Sequence, residues 1–186
     1  LAEDGLLSIE DPVGLHLNEL AGNPGFDRVT IRRLLTHFSG LSALVPLAVA
    51  ETGMAGILDW AGREAVVGAP GAGFLYSDVN YILLAEVIRR VSGQAVDRFS
   101  EHRIFRPLGM TRTRFLPPES WQKRCAATYD QTGIPGLGLV HDPVSRALGG
   151  VAGHAGLFAT AADVARYGQA VLRLGEWKGR RILSPE

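Results

Sequence analysis

Cysteine is almost missing from this chain of 186 residues: Cys125 stands alone. A single thiol closes no internal disulfide and has no second cysteine with which to build a thiolate metal site. Cysteine usage therefore leaves the redox compartment open. Long apolar runs are missing as well. The longest, LSALVPLAVA, is broken by Pro46 and falls short of the ~20 residues a membrane-crossing helix needs. Charge of one sign is also in short supply, because 19 Lys and Arg balance 19 Asp and Glu. That balance provides no sequence-wide basic field to hold nucleic acid or an anionic membrane. The short clusters HRIFRP and KGRR read as solvated faces. The opening LAEDGLLS has no initiator methionine, basic n-region or apolar signal segment, and the last residues, RRILSPE, stop in mid-element. Both ends read as cut, which makes an internal fragment the expectation.

What is present suits a globular domain. Apolar residues make up 46% and charged residues 20%, enough for a sizeable core in one domain spanning residues 1–186. The pattern is mainly helical. Gly5 reads as the stop of a helical turn at Leu1 to Asp4, and LLSIEDPV as a short extended piece and turn. VTIRRLLTHFSGL reads as a helix with Thr30 as N-cap, a buried face of Ile31, Leu34 and Leu35, and an end at Ser39-Gly40. Residues 43–61 read as helical around Pro46 and Gly53. GREAVVGAPGAGFLYS is a loop, since Gly68, Pro70, Gly71 and Gly73 crowd into six positions. A helix then begins near Asp78 or Val79, with Leu84, Val87, Ile88 and Val91 as its stripe and Gly93 as its stop. AVDRFSEHRIFRPLGM reads as one more helix, QTGIPGLGLVHDP as a glycine-rich loop, and AADVARYGQAVLRLG as a final amphipathic helix from Thr160 or Ala161 to Gly175. EWKGRRIL reads as a turn and short strand. No repeat and no linker divides the chain.

The residues able to do chemistry gather at one helix mouth. Tyr76, Ser77 and Asp78 follow a glycine loop and precede an amphipathic helix. Read by itself, Asp78 is a helix cap whose charge meets the positive end of the helix dipole, Ser77 is a spacer, and Tyr76 is a packing residue. Other constellations are weaker. His141, Asp142 and His154 are ligand types that suit zinc, but their spacing matches no metal motif, so no metal site is expected. GLGL lacks the Lys-Ser/Thr of a phosphate loop, and no Gly-x-Ser-x-Gly elbow is present. Thr36 and Ser39 read as caps of the turn around His37.

The ordered series LAEDGLLSIEDPV, VTIRRLLTHFSGL, YSDVNYILLAEVIRRVSG, IFRPLGM and GGVAGHAGLFATAADVARYGQ resembles the serine β-lactamase-like family: class C β-lactamases, penicillin-binding carboxypeptidases and related esterases. The resemblance runs essentially end to end. It implies an α+β fold, of which this chain is the mainly helical part of a β-lactamase/transpeptidase-like domain. The N-terminal strands, the nucleophile helix and the C-terminal strands of that domain are not in the sequence. It also implies attack on an acyl carbonyl by the serine of a Ser-x-x-Lys motif, with no cofactor. The acyl substrate is a small molecule or peptidoglycan-like, and a backbone oxyanion hole holds the developing charge.

By the same resemblance Tyr76 is the proton-relay tyrosine. An unperturbed phenol titrates near about 10, so a cation close by would favour its phenolate. Asp78 stands where many members carry Asn. An ionised Asp only accepts hydrogen bonds, so Asp78 either bonds the family's lysine or merely caps the helix, with Asn80 taking part of the substrate-binding role. His154 and Ala155 belong to a glycine-rich turn that borders the acyl pocket in the family. His154-Ala155-Gly156 is not the family's third motif, which lies later. Ser120-Trp121-Gln122-Lys123 matches Ser-x-x-Lys but follows Tyr76 in a surface-like turn, and reads as a decoy. Two functions stay open: part of a serine hydrolase, or a non-catalytic ligand-binding or regulatory module. The family favours an extracytoplasmic setting without excluding the cytoplasm, and oligomeric state is left open.

Overall fold

The computed structural model describes residues 1–129, 133 and 135–185. Gln131, Thr132 and Ile134 of the expected glycine-rich loop lie outside the described residues, as do Asp130 and Glu186. In chain order the helices are α1 (Ile31–Leu35), α2 (Leu47–Ala50), α3 (Gly53–Glu64), α4 (Asp78–Ser92), α5 (Val96–Ser100), α6 (Arg106–Leu108), α7 (Glu119–Gln122), α8 (Pro143–Ala147) and α9 (Ala161–Leu172). Strands are few and short. β1 (Arg114–Phe115) pairs antiparallel with β4 (Leu157–Phe158), β2 (Ala127–Tyr129) with β3 (Pro135–Leu137), and β5 (Glu176–Trp177) with β6 (Arg180–Arg181). β3 therefore turns part of the expected loop into a hairpin arm. No helix among the described residues is long and apolar enough to cross a membrane.

Local chemistry explains most element ends. The Thr30 side chain accepts the Arg33 N–H and starts α1, and the Thr160 side chain accepts the Asp163 N–H and starts α9. Gly93 closes α4 at φ 70°, in the left-handed region that a side chain would strain. Between α5 and α6 the chain stays helical through a π-turn at Glu101–Phe105, so the expected single helix carries one wider turn. It ends on left-handed Gly109.

Three expectations shift. α1 stops at Leu35 rather than at Ser39-Gly40, because His37 turns left-handed at φ 60°. Ile31 and Leu34 are buried, but Leu35 is 43% exposed. In so short a helix one face reaches the core, and Leu35 lies a 100° step past Leu34. On α4 the buried band is broader than the expected stripe and lies toward the N-terminus: Val79, Asn80, Ile82, Leu83 and Glu86 join the expected Leu84 and Val87, whereas Ile88 and Val91 are half-buried.

Among the described residues two separate apolar clusters form the interior. The larger runs from Val13 to Val87 and gathers Leu17, Phe26, Leu34, Leu41, Ile57, Trp60, Val79 and Leu83, with Val144 and Leu148 packed on its edge. The smaller is Phe105, Leu108, Met110 and Ala170, flanked by Trp177 and Ile182. α1 and α4 pack directly on each other, which brings the end of one to the start of the other.

Candidate active site

The mouth of α4 is built from the larger cluster outward. Ser77, not Asp78, is the N-cap: its backbone is extended (φ −147°, ψ 121°) and its side chain accepts the Asn80 N–H at 3.4 Å. Its hydroxyl donates to the Ser42 carbonyl at 2.6 Å, and the residue has no exposed surface. Asp78 is instead the first helical residue, half-buried, with its charge at the positive end of the dipole. Either Ser or Asp can cap. The extended backbone at Ser77 makes the choice, and it corrects both the spacer reading of Ser77 and the cap reading of Asp78.

Tyr76 stands outside this cap, 59% exposed. Its ring lies 4.6 Å from the His37 ring at 35°. The phenol's pKa is raised, first by the negative charge of Asp78, then by burial, then by a hydrogen bond with Asp78. At neutral pH Tyr76 in this setting is a phenol. Asp78, rather than a cation, dominates its electrostatics.

Asn80 lies beneath them with no exposed surface. Its Oδ1 accepts the Ser39 hydroxyl at 2.6 Å, and its Nδ2 lies 3.1 Å from His37 Nδ1. Both ends of the amide are engaged in the interior, so its geometry is that of a buried strut and not of a substrate contact.

The second wall comes from farther along the chain. Asp142 caps α8 with Pro143 in its first turn, and its Oδ1 accepts the Ser145 N–H at 2.6 Å. The same oxygen lies 2.8 Å from His154 Nε2. The His154 side chain is only 4% exposed, and its Nδ1 is buried without a partner among the described residues. Ala155 contributes its carbonyl to the hydroxyl of buried Ser145 at 3.2 Å. The turn lies tight on α4, since a Cβ on Gly153 would come within 1.9 Å of the Tyr81 carbonyl oxygen. His154 and Ala155 also line a recess of about 380 Å³ with Phe105, Met110, Val164 and Tyr167. Neither Tyr76 nor Asp78 lines that recess.

The fold thus brings Asp78 to Asp142 and His154: one ligand atom from each lies within 4.8 Å of the others. His141, which the sequence grouped with Asp142 and His154, is exposed and takes no part in this triangle. A metal on Nε2 would have to displace the Asp142 hydrogen bond and would leave an Nδ1–H without the acceptor that ligating histidines have. The set fits a resident metal poorly. Two carboxylates facing one space suit an ammonium better, because the arms of an N–H···O contact are longer than metal bonds.

Ser120 and Lys123 are both exposed, around the short helix α7. Asp142 was legible in part: Asp-Pro-x-Ser is an N-cap followed by Pro in the first turn. Its partnership with His154 and Asp78 joins residues far apart in sequence and left no local signal.

Comparison with known proteins identifies the family and the fold. The beta-lactamase family profile matches residues 1–186. A "Putative D-alanyl-D-alanine carboxypeptidase" of Escherichia coli strain K12 is 29% identical, aligned over 100% of this chain and 49% of its own length. A protein of the same description from Salmonella enteritidis is 26% identical, over 98% and 49%. Among solved structures, the octameric penicillin-binding protein homologue from Pyrococcus abyssi superposes with a TM-score of 0.72 at 26% identity, over 100% of this chain and 43% of its own. The beta-lactamase/D-alanine carboxypeptidase from Pseudomonas syringae superposes at 0.79 with 19% identity, over 99% and 49%, and speaks to the fold alone. The chain spans about half the length of the curated relatives it matches. Its mainly helical architecture is that part of the β-lactamase/transpeptidase-like α+β fold, and the chain belongs to the beta-lactamase family.

Proposed function

We propose that this chain is the helical part of a serine hydrolase domain that acts on amide or ester acyl groups through a covalent acyl-serine. The substrate class is β-lactam, D-Ala peptide or simple ester. The nucleophilic serine and its lysine are not among these residues. Tyr76 passes the proton: the phenol oxygen accepts the serine's proton as its Oγ attacks the acyl carbonyl, and the phenol gives its own proton to the leaving nitrogen or oxygen as the scissile acyl bond breaks. Asp78 and Asp142 face the space where an ammonium would be held, and His154 and Ala155 wall the acyl pocket. The observation that carries the reading is Tyr76 at the lip of α4, exposed and next to Asp78; its role as the relay tyrosine is what the sequence resemblance implies.

The same Asp78 favours a second reading, a ligand-binding module without turnover, because its charge keeps the phenol protonated. A cation beside Tyr76 in the whole protein would reverse that effect. The deciding test is acylation of the full-length protein by a fluorescent penicillin and hydrolysis of nitrocefin and p-nitrophenyl esters. Tyr76→Phe should lower turnover by roughly 10²–10⁴-fold. The 186-residue chain alone should hydrolyse none of these. Full-length turnover indifferent to Tyr76→Phe would remove the relay, and absence of any acylation would favour the module.

A further inference from the structure

We infer that His37 is the positioning residue for Tyr76: one fixed tautomer of its imidazole holds the Ser77 N–H beside it, and the ring face supports the phenol. Three contacts run from this one residue to the consecutive stretch Leu75-Tyr76-Ser77. The His37 carbonyl accepts the Leu75 N–H at 2.9 Å. Its Nδ1 accepts the Ser77 N–H at 3.2 Å. Its ring lies against the Tyr76 ring at 4.6 Å, with Phe74 and Tyr81 around it at 5.9 and 5.3 Å. Beyond these contacts Tyr76 is more than half exposed, with its hydroxyl hydrogen-bonded to Asp78.

The tautomer follows from one donor. A backbone N–H can only donate, so the Nδ1 that receives Ser77 N–H carries a lone pair, and the proton of the neutral ring lies on Nε2. That assignment propagates. Asn80 must then turn its NH₂ toward Nδ1, which places its Oδ1 at the Ser39 hydroxyl, and Ser39 Oγ accepts the Leu41 N–H at 3.1 Å. One imidazole lone pair therefore orders a buried chain of polar groups from the end of α1 to the cap of α4. The left-handed backbone of His37 (φ 60°) is what swings the ring from α1 over to that cap. Histidine is among the non-glycine residues that tolerate this conformation, together with Asn and Asp. A proton on Nδ1 would release the Ser77 N–H, and the loss of the ring would remove the face on which Tyr76 rests.

This inference rests on Tyr76 being the relay, yet its test reads position rather than catalysis. In the native chain, long-range ¹H–¹⁵N correlation of the histidine rings should give an unprotonated Nδ1 and a protonated Nε2 for His37. Three variants then divide its contacts. His37→Asn keeps an acceptor and the backbone tolerance but no ring, His37→Phe keeps a ring without an acceptor, and His37→Ala keeps neither. Ser77 amide exchange should quicken roughly tenfold in the Phe and Ala variants, the loss of about one hydrogen bond, and stay within about twofold of native in Asn. The Tyr76 ring resonances should move in Asn and Ala and stay near native in Phe. Methyl resonances of Val79 and Leu83, buried on the same helix, verify that α4 is still packed. A protonated Nδ1 in the native chain, or Tyr76 and Ser77 signals unmoved in His37→Ala, would overturn the inference. A full-length enzyme indifferent to Tyr76→Phe would instead remove the proposed relay and leave these readouts as they are.

Discussion

Asn80 couples the two halves of the site's foundation, and its removal should be felt as stability. Replacing it with Ala leaves the Ser39 hydroxyl without its acceptor and opens a void where the residue has no exposed surface. Asn80→Ala should lower unfolding free energy by about 2–3 kcal/mol. In urea melts the midpoint should fall while the slope stays constant; an unchanged midpoint would mean the amide is dispensable. At this scale the sequence was half legible. The types and clustering of Tyr76, Ser77, Asp78 and Asn80 marked a helix mouth. Which of Ser77 and Asp78 caps it depended on a backbone angle, and the inward turn of Asn80 depended on Ser39 and His37, each about 40 positions away.

Among the elements, α4 carries both the site and a charge network. Glu86 is 3% exposed and is held by Arg89 and Arg90, and Arg90 reaches on to Glu19. Burial acts to raise the Glu86 pKa, but the hydrogen bonds from the two arginines outweigh it and bring it below the ordinary value. Glu19 is lowered too, first by its hydrogen bond from Arg90. A carboxylate with a depressed folded pKa contributes stability that is fully present above its unfolded value and lost as pH falls through the folded one. Stability should therefore decline on acidification from the usual carboxylate range downward. Glu86→Gln should flatten that decline while lowering stability at neutral pH, as measured by urea melts across acid pH. A variant with the native acid limb would show that the network carries no linkage. The presence of α4, its stop at Gly93, the Thr30 cap of α1 and the start of α9 near Thr160 were readable because they are local. The π-turn after α5 and the early end of α1 were not, since both answer to packing beyond their own residues.

Seen whole, the molecule keeps a good deal of apolar surface outside its clusters. On α9, Val164, Tyr167 and Val171 share one face and are 54%, 41% and 47% exposed. Phe74 and Leu75 beside Tyr76 are exposed as well. The fold class was legible from the order of its segments. The division of its interior into two clusters was not, since it depends on which helices meet in space.

That division has a consequence for motion. Val79, between Asp78 and Asn80, belongs to the larger cluster, and the turn carrying Asp142 leans on it through Val144 and Leu148. α9 and the β5–β6 hairpin belong to the smaller one through Ala170, Trp177 and Ile182. The two clusters should then behave as separate cooperative units in native-state hydrogen exchange. Amides of α9 should open at lower denaturant than those of α4, and a single shared opening isotherm would refute the separation. Breathing of the far end of the chain would then pass unnoticed at the tyrosine.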